Sequence, residues 1–384
     1  MDRSVISGRK IAAVQAVALV ALAVCLVNQV AAEARSLAQV TEGEPIAWVP
    51  SGAKFLVPEP PLILTYHNGP ILAGVGKVPV YVIWYGNFSE PQKMMVRDFF
   101  SSTGDANCPA PSVNSWWKMT GGYKNLEGVS VPQAVTLEAE ICDFGCSHGK
   151  TLSSADIETI VVNSLSTFPS DANALYMIFT SHDVVVADFC TSQCGSHYAT
   201  PALNATGGKQ LPYAWVGNPE SQCAGKCAWP FAKPEYGPAD TPLLPPNGDI
   251  GMDGMIINIA AIMAGTVTNP FNSGFYQGDG AAPLEAATAC TGMFGAGAYS
   301  GYAGQLLHDE VTGDSYNAKG INNRKFLLPA LWDPVSLNCT PPPSSSRLLS
   351  GKIRRSLVTY DGNMYVDSTL VDGRVVIQKL MMLW

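Results

Sequence analysis

Nine cysteines follow Cys25, and six of them fall in three C-x-x-x-C pairs, Cys142/Cys146, Cys190/Cys194 and Cys223/Cys227; the others are Cys108, Cys290 and Cys339. In an oxidising compartment such a set is a disulfide framework, and each bridge removes conformations from the unfolded chain. Four bridges drawn from Cys142, Cys146, Cys190, Cys194, Cys223, Cys227, Cys290 and Cys339, with one thiol left over, is the expected count; the spacing leaves the partners open. A metal reading is weaker. Cys146-Ser-His148 and Cys194-Gly-Ser-His197 place a histidine close behind a cysteine, but the paired distal ligands of a structural zinc site are missing. No metal and no cofactor are expected.

The N-terminus supplies the compartment that the cysteines require. Arg3, Arg9 and Lys10 precede an apolar run from Ile11 to Val27, and Val30-Ala31-Ala32-Glu33-Ala34 offers small residues for cleavage after Ala32 or Ala34. Residues 1–34 therefore read as a signal peptide and 35–61 as a mobile leader. No later stretch is expected to span a membrane, which predicts a secreted protein of the extracellular space. Three N-x-[ST] sequons, at Asn87, Asn204 and Asn338, fit that route as glycosylation sites. The 23 Lys and Arg against 31 Asp and Glu argue against nucleic acid as a partner, because phosphate binding needs a net-positive surface.

Strand and helix patterns alternate along the next stretch. Val78–Trp84 is a continuous β-branched and aromatic run with Pro79 at its start, as in a buried strand. Ser89-Glu90-Pro91 opens a helix with Met95, Val96, Phe99 and Phe100 on its buried side, and Ser153-x-x-Asp156 caps a second with Ile157, Ile160, Val161 and Leu165. Strands are predicted at 175–180 and 184–187, and a third helix, apolar nearly all round, at 252–267. The pattern predicts an α/β fold: a single disulfide-stabilised globular domain over 62–341, with a mixed sheet flanked by helices. Residues 342–384 carry six Lys/Arg against three Asp and read as an atypical basic tail, in which 360–366 and 373–380 could pair as a hairpin.

No complete catalytic motif is present: no G-x-S-x-G elbow, no H-E-x-x-H helix and no P-loop. Of the five histidines, His182, beside Asp183, and His197 are the ones that strand-end loops could bring together, as acid-base groups or, for the two histidines, as metal ligands. Asn247 to Gly254 resembles half of a calcium loop, with Asp249 and Asp253 four apart. It lacks the distal Glu, so a solvated turn is the better reading. Trp116-Trp117 with Tyr123 could stack on sugar rings, although core packing is the commoner use of such a cluster.

Several long strings resemble one plant family: Tyr66-His-Asn-Gly-Pro-Ile71, Val80-Tyr-Val-Ile-Trp-Tyr-Gly86, Pro111-Ser-Val-Asn-Ser-Trp-Trp117, Phe189-Cys-Thr-Ser-Gln-Cys-Gly-Ser-His197, Tyr213-Ala-Trp-Val-Gly-Asn218, Cys223-Ala-Gly-Lys-Cys-Ala-Trp-Pro230 and Gly265-Thr-Val-Thr-Asn-Pro-Phe271. On these the chain is identified as a member of the EXORDIUM, or phosphate-induced protein 1, family. The resemblance implies a protein of the apoplast or cell wall, linked to brassinosteroid-responsive growth and cell expansion, with no established catalysis. The leading reading of such a chain is action by binding a wall glycan or an extracellular protein partner. The alternative is an extracellular hydrolase acting on wall polysaccharide or peptide through His182, Asp183 and His197. Ile259 to Pro270 is further similar to a zinc-peptidase helix in which Ala261 and Ile262 replace the His and Glu, which would make the fold a degenerate peptidase scaffold.

Overall fold

The structure is a computed structural model, and it describes residues 61–343 apart from 236–240 and 300, together with four short strands between 357 and 376. The signal peptide, nearly all of the leader and much of the tail lie outside the described residues. Five strands form the central sheet: β1 (Val78–Tyr85), β2 (Val135–Asp143), β3 (Leu175–Thr180), β4 (Gly195–Ala199) and β5 (Pro212–Gly217). Their order is β2-β1-β3-β5-β4, parallel throughout except for the antiparallel edge strand β4. This is the expected mixed sheet. Pro79 is tolerated inside it because Val78 N already donates towards β2, so the donor that Pro79 lacks faces β3, which begins its pairing only at Val80.

Parallel neighbours need crossovers, and the helices supply them. Helix α1 (Glu90–Thr103) joins β1 to β2, and α2 (Ser154–Ser164) joins β2 to β3. Both begin in a capping box, predicted for the second and found also in the first: Ser89 with Gln92, and Ser153 with Asp156, whose carboxylate accepts from Ser153 N at 2.8 Å. The alternation of β1 decides which face each helix covers. Val80, Val82 and Trp84 point into a core shared with Val96, Phe99 and Phe100 of α1, while Tyr81, Ile83 and Tyr85 meet Ile157, Ile160 and Val161 of α2 on the other side.

The third helix, α3 (Ile250–Thr268), is apolar enough to cross a membrane but is packed on the sheet instead. Met252, Met255, Ile256, Ile259 and Met263 join the core on the α1 side. Ile257 faces away, into a separate cluster with Phe231, Phe294, Ala303 and Leu327 drawn from loops. Helix α3 is therefore covered by sheet on one side and by the long loops on the other.

Three disulfides brace this arrangement: Cys190–Cys223, Cys194–Cys227 and Cys290–Cys339. The first two clip the loop before β4 to the helical turn Ala224–Cys227. The expected four bridges are thus three, and Cys108, Cys142 and Cys146 remain thiols. Sheet geometry explains the missing bond. Cys142 pairs with Trp84 on β1, and its Sγ accepts from Lys93 of α1 at 3.3 Å; Cys146 packs with the α2-side cluster. The degenerate-peptidase alternative finds no support. Ala261 and Ile262 pack beside the main core, and among the described residues no three His, Cys, Asp or Glu side chains gather as a metal site. In the tail, Leu357–Tyr360 pairs with Asn363–Val366 and Thr369–Val371 with Arg374–Val376, two local hairpins where one wider hairpin was expected.

Candidate functional site

In an open parallel sheet the usual ligand position is the crevice at the carboxyl ends of the strands where the winding reverses, here between β1 and β3. The chain fills it. Gly86 follows β1 with φ +92°, and a Cβ built there would lie 2.0 Å from Ser181 Oγ. Ser181 donates to Asp183 at 2.6 Å, and Lys150 closes on the same carboxylate. These contacts hold the Asp183 carboxyl down at about 2, the lysine contact first among them. His182 is exposed beside them, its Nδ1 3.2 Å from Ser221 Oγ.

His197 is elsewhere. It pairs with Ala214, which pairs with Met177, so it lies two strands from β3 and five residues short of His182 along it, roughly 15 Å or more away. The structure brings His182 and Asp183 together and does not bring His197 to them. Instead His197 faces α3 with its side chain only 8% exposed, and its Nε2 meets Glu285 Oε2 at 2.8 Å. The other carboxylate oxygen accepts from Asn269 Nδ2 at 2.6 Å, and Asn269 Oδ1 accepts from Gly274 N at 2.8 Å. Gly265 makes this possible: a Cβ there would stand 2.7 Å from Glu285 Oε2. The group ties the edge strand, the end of α3 and the following loop together. Glu285 was not anticipated, although it is the single acidic residue between Asp279 and Asp309 in a stretch of small and apolar residues.

Two other sequence candidates resolve into structure. Trp116, Trp117 and Tyr123 are wholly buried, with their polar atoms donating to the carbonyls of Pro329, Pro132 and Trp332. Asp249 is the N-cap of α3, accepting from Met252 N at 2.9 Å, while Asp253 is buried in its first turn and accepts from Asn247 N and Nδ2. Burial pushes the Asp253 carboxyl up to about 7. The solvated turn expected at Asp253 is therefore an enclosed carboxyl.

An open site lies over the loop cluster on the far side of α3. A cleft of about 360 Å³ is lined by Trp229, Pro230, Leu243, Tyr302, Gln305 and His308, among others. Behind its lining is the cluster of Phe231, Phe294, Ala303 and Leu327, against which the lining residues Trp229, Leu243 and Leu306 pack. One wall is a narrow hairpin in which Ala296 bridges Gln305 and Tyr299 bridges Tyr302. Gly295 and Gly304 let its arms approach: a Cβ on Gly304 would meet Gly295 O at 2.4 Å. The tip carries Tyr299, 67% exposed, and Tyr302, 39% exposed, with ring centroids 5.1 Å apart. Elsewhere in the lining Leu243 N donates to Pro230 O at 3.0 Å, and His308 Nδ1 sits 3.2 Å from Ser315 Oγ. The lining offers flat aromatic faces and hydrogen-bonding edges, and among the described residues it holds no Lys, Arg, Asp or Glu. Such a surface suits a ligand with both apolar faces and hydroxyl groups.

Comparison with known proteins supplies the context. Residues 64–342 match the conserved region of phosphate-induced protein 1. EXORDIUM of Arabidopsis thaliana is 47% identical over 286 residues, covering 72% of this chain and 88% of that protein. EXORDIUM-like 2 of the same plant is 44% identical over 292 residues, 75% of this chain and 92% of that one. PHOSPHATE-INDUCED 1 of Nicotiana tabacum is 44% identical over 289 residues, 74% and 90% of the two chains. No solved structure matches.

Proposed function

This chain belongs to the phosphate-induced protein 1 family, and from that premise we propose that it is a secreted apoplastic protein that promotes growth and cell expansion by binding a cell-wall glycan. The observation that carries the reading is the cleft with Trp229 and Tyr302 on its walls and Gln305 and His308 at its edges. Pyranose rings present a flat C–H face that packs on an aromatic ring, and their hydroxyls take up amide and imidazole groups in the plane. The three disulfides and the acceptor sequons at the exposed Asn87, Asn204 and Asn338 support a secretory route, and brassinosteroid-responsive expression is the family's expected setting.

The test is equilibrium binding of purified protein to solubilised wall polysaccharides, with Tyr302→Ala beside the wild type. The variant removes an exposed ring and keeps the Gly295–Gly304 contact beneath it. An affinity loss of about tenfold or more, or about 1.4 kcal/mol, is expected with unchanged melting temperature. Equal binding by the two proteins would remove the cleft from the reading.

A further inference from the structure

A second depression, of about 690 Å³, opens beside the first and is polar, with Asp98, Asn247, Thr312, Asp314, Asn323 and Arg324 around it. Two chain segments serve both depressions. The strap 241–248 lines the aromatic cleft with Thr241, Pro242 and Leu243, and the polar groove with Pro246, Asn247 and Gly248. The hairpin containing Leu307–His308 and Ser315–Tyr316 contributes His308 to the cleft and Thr312 and Asp314 to the groove. Strap and hairpin are joined by Ser315 N donating to Leu244 O at 3.1 Å. Leu243 and Pro246 are three residues apart, so the two rims are separated by about 11 Å at most. Leu244 stands between them, 53% exposed.

Within the groove Asp98 and Arg324 satisfy one another. Arg324 Nε donates to Asp98 Oδ2 at 2.9 Å and its Nη1 to Asn247 Oδ1 at 3.1 Å, while Asn322 Nδ2 donates to Asp98 Oδ1 at 2.8 Å. Asp314 accepts from Thr312 at 2.5 Å. Two carboxylates and one committed guanidinium, on a protein of net charge −8, oppose a polyanion. Asn322 and Asn323 both hold positive φ, 54° and 58°, and Asn323 is exposed at the rim.

We propose that the aromatic cleft and the polar groove form one extended surface for an uncharged polysaccharide chain, which stacks in the cleft, crosses Leu244 and is hydrogen-bonded through its hydroxyls in the groove. This rests on the reading of the cleft as a sugar site. It adds the groove as a further binding region, a requirement for chain length and a preference for neutral sugars over uronates.

The experiment is calorimetric titration of the secreted protein with a length series of neutral β-linked gluco-oligosaccharides, from disaccharide to octasaccharide, and with oligogalacturonates of the same lengths. Affinity for the neutral series is expected to rise about tenfold or more once the chain is long enough to leave the cleft. The oligogalacturonates are expected to bind at least about tenfold more weakly at equal length. Asn323→Gly, which keeps the positive-φ backbone and removes the amide, is expected to reduce the gain with length. A flat length dependence with binding still lost in Tyr302→Ala would overturn the extended surface and leave the cleft as a sugar site. Tighter binding of oligogalacturonates would overturn the neutral preference. Failure of every saccharide to bind would sink the glycan reading itself and this extension with it.

Discussion

A carboxyl enclosed in an apolar helix makes its own demand on pH. Asp253 is held near pKa 7 by burial, above its ordinary 3.8, although two donors from Asn247 pull the other way. The folded state therefore keeps a proton that the unfolded chain releases. Stability from this group is fully present below the unfolded pKa and is lost as pH rises through about 7. Unfolding followed by melting temperature should show this decline in the wild type, and Asp253→Asn should flatten it. The same slope in both proteins would mean that Asp253 is not the titrating group. Glu285 matters through its partners, since it satisfies both His197 and Asn269. Glu285→Ala strands a buried imidazole and a buried amide, and a loss of about 3–5 kcal/mol in urea unfolding is expected. Glu285→Gln retains one partner and should lose less. A loss under about 1 kcal/mol in Glu285→Ala would show that the cluster is not a structural tie.

At the scale of elements, legibility followed local pattern. Strands β1 and β3 and all three long helices could be read from apolar runs and caps, because a strand buried on both faces and a capped helix each announce themselves within a few residues. Strand β5 could not: Pro212, Ala214 and Gly217 have poor strand propensity, and the strand exists because β3 and β4 flank it. Strand β4, with Gly195, Ser196 and His197, owes its pairing to the clips at Cys190 and Cys194. Strand β2 does alternate, as Val-Thr-Leu-Glu before its bulge, and that signal was present to be read. The partner choice among cysteines was not legible, since it depends on which face each residue presents. The third bridge supplies an element-scale prediction. Cys290–Cys339 closes a loop with a sequence separation of 49, and replacing both residues by Ala should cost about 4 kcal/mol by chain entropy. Denaturant midpoints of oxidised wild type and double variant decide it, and equal midpoints would mean that the bridge braces nothing.

For the whole molecule, the sheet and the site belong to different parts of the chain. The sheet is complete by Gly217, whereas the cleft is assembled from Trp229, Leu243, Tyr302 and His308, residues distant in sequence and set on loops and a short hairpin. Composition marked this region as glycine- and aromatic-rich, but only the folded loops show which rings reach the surface and which pack behind the lining. Trp116 and Trp117, the more conspicuous pair in the sequence, went inward. The paired clips beside β4 have one more consequence. Cys223 Sγ and Cys227 Sγ lie 3.6 Å apart, so four sulfurs occupy one small volume. If a reductant opens one bridge, its neighbour still holds both segments in register, and the freed thiols meet each other again before any stranger. The clasp lets go only when both bonds are open at once, which makes its failure a two-hit event and its repair a local one.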